Sequence, residues 1–229
     1  SNLTNHRSMH QRIDEGAALW RAVKQTDGAI LEIGRAGGGR TICILGASGN
    51  RRVISVGRFP KHAVLADKIF NRLDVKDRLT LRTQNTRDPI KLTNYGMLFI
   101  DGYHSYEGVC HDIASFWNQL TPHLGKPALA VFHDAAANPL SHVVSVKRAV
   151  DELIEKSGAA KIVENWGSTV CLEKLSDIDQ RVWLRKIDHD FWSTHLTDNG
   201  FKATINMSNE LATKGLLPTF KKINLAQFS

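Results

Sequence analysis

Ala29-Ile-Leu-Glu-Ile-Gly-Arg-Ala-Gly-Gly-Gly-Arg40, continued by Thr41-Ile-Cys-Ile-Leu45, decides the architecture. A short apolar run reaches Ile33, a glycine cluster spans Gly34 to Gly39, and the next apolar stretch is spaced to continue as a helix as far as Gly46 to Asn50. That is strand, glycine turn, helix, the opening unit of an α/β fold. Glycine lets backbone N–H groups come close to a ligand, and the helix that follows aims its positive end at the same place. The turn lacks the spacing of the dinucleotide fingerprint G-x-G-x-x-G and has no Walker lysine.

The alternation continues on both sides of this unit. Upstream, Arg12 to Lys24 places Ile13, Ala17, Leu19, Trp20 and Val23 at helical spacing, with Thr26-Asp27-Gly28 as the stop. Downstream, strands are expected at 53–56, 79–82, 97–100 and 128–132, with helices at 62–73, 106–120 and 145–156. Lys161-Ile-Val-Glu and Thr169-Val-Cys-Leu172 read as a closing hairpin around Asn165-Trp-Gly-Ser. Short, continuously apolar strands alternating with helices predict a doubly wound, Rossmann-like sheet of seven strands, mainly parallel, with an antiparallel strand from the C-terminal hairpin. The expected domains are a helical segment at 1–28, the Rossmann-like domain at 29–174 and a helical extension at 175–229. In that extension Gln180 to Leu196 reads as a helix, and Phe191, Trp192, Phe201, Phe220 and Phe228 suit core or homodimer contacts.

Composition sets limits on the function. The 229 residues are 42% hydrophobic and 23% charged, which excludes disordered, collagenous and disulfide-scaffold classes. No apolar run is long enough for a membrane span, and SNLTNHRSMHQR lacks a signal-peptide core, so a cytoplasmic protein without membrane partners is expected. Cys43, Cys110 and Cys171 are scattered among apolar neighbours and are expected to be buried free thiols. The net charge of +7 is concentrated: no acid stands between Glu32 and Asp67, while Arg35, Arg40, Arg51, Arg52, Arg58 and Lys61 do. Such a stretch favours an anionic neighbour, although no aromatic-basic motif of an RNA-binding module accompanies it, and nucleic acid is not the expected partner.

Ligands of open parallel sheets bind beyond the carboxyl ends of the strands. Glu32 and Gly34 to Gly39 follow the first strand, Gly57-Arg58 the second, Asp101-Gly-Tyr-His104 the fourth and His133-Asp134 the fifth. Asp101, His133 and Asp134 bring two carboxylates and an imidazole, a donor set for Mg²⁺ or Mn²⁺ or, through the imidazole, a transition metal. His104 is a candidate base.

With these residues in order, the chain resembles the class I S-adenosylmethionine-dependent methyltransferases, and among them the small O-methyltransferase-like group. The resemblance rests on Leu31-Glu-Ile-Gly34, Gly38-Gly-Arg-Thr41, Phe99-Ile-Asp-Gly-Tyr-His-Ser-Tyr-Glu107, Asp112, Leu120-Thr-Pro122 and Val131-Phe-His-Asp134. It implies S-adenosylmethionine as cofactor, with Glu32 near its ammonium, the Gly34, Gly38 and Gly39 backbone around its methionine portion, and Asp101 beside the sulfonium. Gly57, Arg58 and Asn85 would face the nucleoside. It also implies a metal or substrate site at Asp101, His133 and Asp134, and proton removal by Asp101 or His104 from a small-molecule or sugar hydroxyl. One departure stands out: the acid that normally ends the second strand and accepts the ribose hydroxyls is Gly57 here, and Arg40 stands where a small Ser or Thr is usual. Two other readings follow from that departure. One is an NADP-dependent oxidoreductase with Arg58 on a 2′-phosphate; the other is a non-catalytic descendant that binds an anionic partner.

Overall fold

The structure is a computed structural model that describes residues 13–59, 64, 67–86, 88, 90, 94–136 and 144–187. The chain divides into a unit Ser1–Leu184 and a unit Arg185–Ser229, and almost all described residues fall in the first.

Helix α1 (Ile13–Gln25) opens with Asp14 and Glu15 and closes with Lys24, charges that suit its dipole, and it buries Ala18, Leu19, Ala22 and Val23. Strand β1 (Ile30–Ile33) is buried at every position, and α2 (Gly39–Ser48) begins straight from the glycine turn, capped by Gly38 at φ 90°. Strands β2 (Val53–Gly57), β3 (Leu79–Thr83) and β4 (Met97–Ile100) follow, then α3 (Tyr106–Phe116), whose first turn is capped by the Ser105 hydroxyl accepting from Gly108 N at 3.0 Å. A 3₁₀ turn (Trp117–Gln119), β5 (Leu129–Phe132), α4 (Val144–Glu155), β6 (Ala160–Trp166), β7 (Thr169–Lys174) and α5 (Gln180–Leu184) complete the elements. The expected helix at 62–73 lies partly outside the described residues, and 67–70 are helical. The expected helix from Gln180 is shorter than its apolar spacing suggests: it ends at Leu184, followed by a turn at 185–187, and the aromatics from Phe191 onward lie outside the described residues.

The sheet order is β3-β2-β1-β4-β5-β7-β6. β1, β2, β3, β4 and β5 run parallel, and β7 enters antiparallel between β5 and the edge strand β6. This is the doubly wound, Rossmann-like arrangement that the alternation predicts. Along each strand, side chains alternate between the two faces. Leu31, Ile33, Ile54, Val56, Leu98 and Ile100 pack with α3, α4 and α5, whereas Ile30, Val53, Met97 and Phe99 pack with α1 and α2.

Register fixes the site. Ile33 pairs with both Val56 and Ile100, and Ile100 with Phe132, so β1, β2, β4 and β5 stop at one level. Asp101 N donates to Ile33 O at 2.8 Å and His133 N to Ile100 O at 3.0 Å, which sets Gly34, Asp101 and His133 side by side where the sheet order reverses. Crevices form at such switch points. No helix among the described residues is long and apolar enough to cross a membrane. All three cysteines are free; Cys110 and Cys171 are buried as expected, and Cys43 is half-buried.

The basic stretch turns largely inward. Arg51 donates from Nε to Gly28 O at 2.6 Å and from Nη1 to Val23 O at 2.6 Å and Thr26 O at 3.1 Å, closing the carboxyl end of α1. Arg35 is 2% exposed, and Arg40 lies among the strand-end residues. Three of the six cations in the acid-free stretch thus serve internal carbonyls or carboxylates, because their long side chains reach acceptors that only the fold brings near.

Candidate active site at the strand ends

Gly34 makes the close approach possible. Its φ is 98°, and a Cβ built there would stand 1.9 Å from Asp101 O. Only glycine fits between β1 and β4 at this point. Two residues on, Ala36 has φ 46°, a left-handed conformation that costs a side-chain-bearing residue energy and fixes the turn's path into α2.

Below the turn Glu32 is fully buried. Its Oε2 accepts from Thr41 Oγ1 at 2.6 Å and Ser55 Oγ at 2.5 Å, while Oε1 has no hydrogen-bond partner among the described residues. Burial holds its carboxyl above the usual range, against the lowering effect of the two hydroxyls. A buried acceptor with an unmatched oxygen suits a cationic or N–H-bearing ligand.

Asp101, His104, His133 and Asp134, expected from two separate places in the chain, converge. One ligand atom from each lies within 4.8 Å of the others. Asp101 Oδ1 is 3.0 Å from His104 Nε2 and 3.1 Å from His133 Nδ1. Asp134 Oδ2 is 3.3 Å from His104 Nε2 and 3.1 Å from His133 Nδ1. His133 Nδ1 thus lies between two carboxylates that share its charge. Asp134 holds φ at 56°, a conformation Asp adopts more readily than most residues, and this turns its carboxylate back over His133. Burial would lower the His133 pKa, but Asp101 and Asp134 outweigh it and raise it to about 10. Burial would likewise raise Asp101, and the hydrogen bonds from His104 and His133 with the Arg40 charge hold it well below the carboxylate range. Of the four groups His104 is the most open, its side chain 43% exposed.

Three residues of the site lie outside the set of ligands and bases expected from the sequence. Arg40, on the first turn of α2, pairs through Nη1 with Asp101 Oδ2, and its Nη2 lies 3.2 Å from His133 Nε2. Glu15, on α1, accepts from Ser168 Oγ at 2.6 Å and Ser168 N at 3.2 Å and brings Oε2 to 3.5 Å from His133 Nε2. Its sequence signal is an acid in register with Ala18, Leu19 and Ala22 on the apolar face of α1. Arg35 is the third. Its Nη1 donates to Ser55 O at 2.9 Å and Arg82 O at 3.1 Å, and its Nη2 donates to Thr83 Oγ1 at 3.2 Å. A Cβ on Gly57 would stand 3.1 Å from Arg35 Cβ and 3.3 Å from its Cζ. The glycine at the end of β2 and the guanidinium laid across it are therefore one unit. Arg58 lies 5.7 Å over the Phe59 ring, Gln84 N donates to Gly57 O at 3.1 Å, and Asn85 follows on the same sheet end.

The comparisons agree with this geometry. A family model described as a methyltransferase domain matches residues 31–135, from β1 to the residue after Asp134. No curated relative matches the chain. Solved structures do. An O-methyltransferase of Bacillus cereus in complex with SAH is 19% identical with a TM-score of 0.59, over 72% of this chain and 82% of that one. The SAM-bound O-methyltransferase of Streptomyces achromogenes involved in tomaymycin synthesis is 16% identical with a TM-score of 0.57, over 72% and 82%. An SAH-bound methyltransferase of Podospora anserina is 12% identical with a TM-score of 0.59, over 74% and 81%. At these identities the structures establish the fold. Residues 31–135 thus match a methyltransferase domain, on a fold shared with solved methyltransferases.

Proposed function

We propose that this chain transfers a methyl group from S-adenosylmethionine to a hydroxyl of a small-molecule or sugar acceptor, assisted by a divalent ion. The observation that carries the reading is the convergence of Asp101, His104, His133 and Asp134 beside the glycine turn of a methyltransferase domain. The cofactor supplies an activated methyl group on a sulfonium, and a bound Mg²⁺ or Mn²⁺ lowers the pKa of a coordinated hydroxyl.

The residues do the rest. Glu32, through its unmatched Oε1, and the backbone of Gly34, Gly38 and Gly39 would hold the methionine end of the cofactor. Gly57, Arg58 and Asn85 would face the nucleoside. Because Arg35 lies across Gly57, this end carries a buried guanidinium in place of a carboxylate. Asp101, His133 and Asp134 would hold the ion, and the donor set of oxygens and one imidazole fits it. Proton removal falls to His104, the open imidazole at the cleft, with Asp101 and Asp134 orienting its ring. Asp101 itself, held as a weakly basic carboxylate, serves to orient and to balance charge. Methyl transfer then depends chiefly on in-line alignment of oxygen and methyl carbon. The +7 charge needs no nucleic-acid partner, since Arg35, Arg40 and Arg51 are used internally.

Calorimetry with S-adenosylhomocysteine tests the cofactor, and a measurable heat that disappears in Gly34→Val is expected. Absence of heat with this ligand, together with binding of NADPH, refutes the reading. For the metal, Asp134→Ala should remove stimulation by added Mg²⁺ or Mn²⁺; methyl transfer indifferent to chelator in the wild type refutes it.

A further inference from the structure

The Arg40 side chain crosses the interval between the glycine turn and the cluster at the strand ends. Its backbone stands on the first turn of α2, directly after Gly39. Its guanidinium ends among the strand-end residues: Nη1 is paired with Asp101 Oδ2, Nη2 lies 3.2 Å from His133 Nε2, and Cζ is 5.8 Å from the centre of the Phe99 ring on β4. The Arg40 side chain is 14% exposed and that of Asp101 6%. A guanidinium is charged throughout the working range of pH, so a fixed positive charge is held inside the crevice.

A methyl donor has to bridge the same interval. In the reading above its methionine end lies at Gly34, Gly38 and Gly39, and the acceptor oxygen lies at the cluster of Asp101, His104, His133 and Asp134. The sulfur that carries the methyl group then falls between turn and cluster, beside Arg40. The carboxylates of the cluster are already engaged. Asp101 Oδ2 is taken by Arg40, Asp101 Oδ1 faces His104 Nε2 at 3.0 Å and His133 Nδ1 at 3.1 Å, and Asp134 Oδ2 faces the same two nitrogens at 3.3 and 3.1 Å. A positively charged sulfur therefore meets the guanidinium with no unengaged carboxylate to offset it, whereas an uncharged sulfur meets no such opposition. Like charges this close in a partly buried site repel, and salt screens them little.

We propose that Arg40 is a specificity-determining residue that sets the crevice against a charged sulfur: it favours the neutral thioether S-adenosylhomocysteine over the sulfonium S-adenosylmethionine. The inference rests on the methyltransferase reading above and adds to it a residue outside the set of ligands and bases. Its consequence is that the demethylated product competes with fresh cofactor, and Arg40 sets how strongly.

Calorimetric titration of the full chain with each of the two ligands tests it. The quantity read is the ratio of their dissociation constants, because a structural defect weakens both ligands alike and leaves the ratio unchanged. Wild type should bind the thioether at least about tenfold more tightly than the sulfonium. Arg40→Met, which keeps the stem and removes the charge, should bring the two within about threefold by tightening the sulfonium, and Arg40→Gln should do the same where the methionine variant does not fold. Arg40→Lys, which keeps the charge, should retain a preference of about fivefold or more. An unchanged ratio in the neutral variants, or a wild type that binds the sulfonium as tightly as the thioether, overturns the role of Arg40 while leaving the cofactor site standing. Binding of neither ligand by wild type overturns the cofactor reading and the inference with it.

Discussion

Gly34→Ala puts the most constrained position of the crevice to a quantitative test. At φ 98° the new side chain sits in a backbone conformation that costs an L-residue about 1–2 kcal/mol. Its Cβ would also lie 1.9 Å from Asp101 O and 2.3 Å from Asp101 C, backbone atoms that β4 holds by hydrogen bonding and that cannot rotate away. Overpacking of this kind adds about 1–3 kcal/mol. The sum, about 2–5 kcal/mol, is a large part of a typical domain's stability but leaves it folded. For a unit of this size it corresponds to a melting point lower by about 4–20 °C. Relief requires Asp101 to move about 1 Å, and a misplacement of that size near reacting groups costs about a hundredfold in rate. The assay pairs a thermal melt with methyl transfer from radiolabelled S-adenosylmethionine. Gly16→Ala is the control: that glycine lies inside α1 with nothing within 4 Å of its Cβ, so it should gain about 0.5–1 kcal/mol. A Gly34→Ala protein that melts within 2 °C of wild type and keeps its activity refutes the reasoning.

Other consequences can be measured separately. Gly57→Asp restores an acid to the end of β2, but its carboxylate meets Arg35, so by calorimetry S-adenosylhomocysteine affinity should change less than threefold; in an Arg35→Ala background the same change should tighten it about tenfold, the worth of one charge-assisted hydrogen bond. A tenfold gain in the single variant would show that Arg35 does not guard the position. Arg51→Met strips the carbonyls of Val23, Thr26 and Gly28 of their donor and should cost about 2–4 kcal/mol in urea unfolding, whereas Arg52→Met, on an exposed side chain, should stay within about 0.5 kcal/mol. Burial pushes the Cys171 thiol up to about 12, so at pH 8 it stays protonated and iodoacetamide should label it only after denaturation; labelling at the rate of a free thiol would contradict its burial.

Much of the fold was legible because its signals are local. Strand β4 falls at 97–100 as expected, and the other strands differ by a residue or two at their ends. A run of apolar residues bounded by turn chemistry needs no distant partner to declare itself. Asp101, His104, His133 and Asp134 were legible for a related reason: each closely follows a strand end, and parallel topology sends those ends to one side. The helix expected to run to Leu196 was misjudged at its end, because apolar spacing reports a helical face without marking where a chain turns.

The sequence by itself determined the doubly wound sheet, the glycine turn at Gly34 and the polar groups at the ends of β4 and β5, since periodicity and steric permissiveness belong to short segments. Only the tertiary structure decided what the basic stretch does. Arg40 meets Asp101 across 61 positions, Arg35 meets Arg82 across 47, and Glu15 meets Ser168 across 153. An arginine's partner depends on which carbonyl or carboxylate the fold places at the end of a long flexible stem, and nothing local encodes that distance. What the sequence shows as a run of uncompensated positive charge, the fold turns into a cap on α1, a cover over Gly57 and the resident cation of the site.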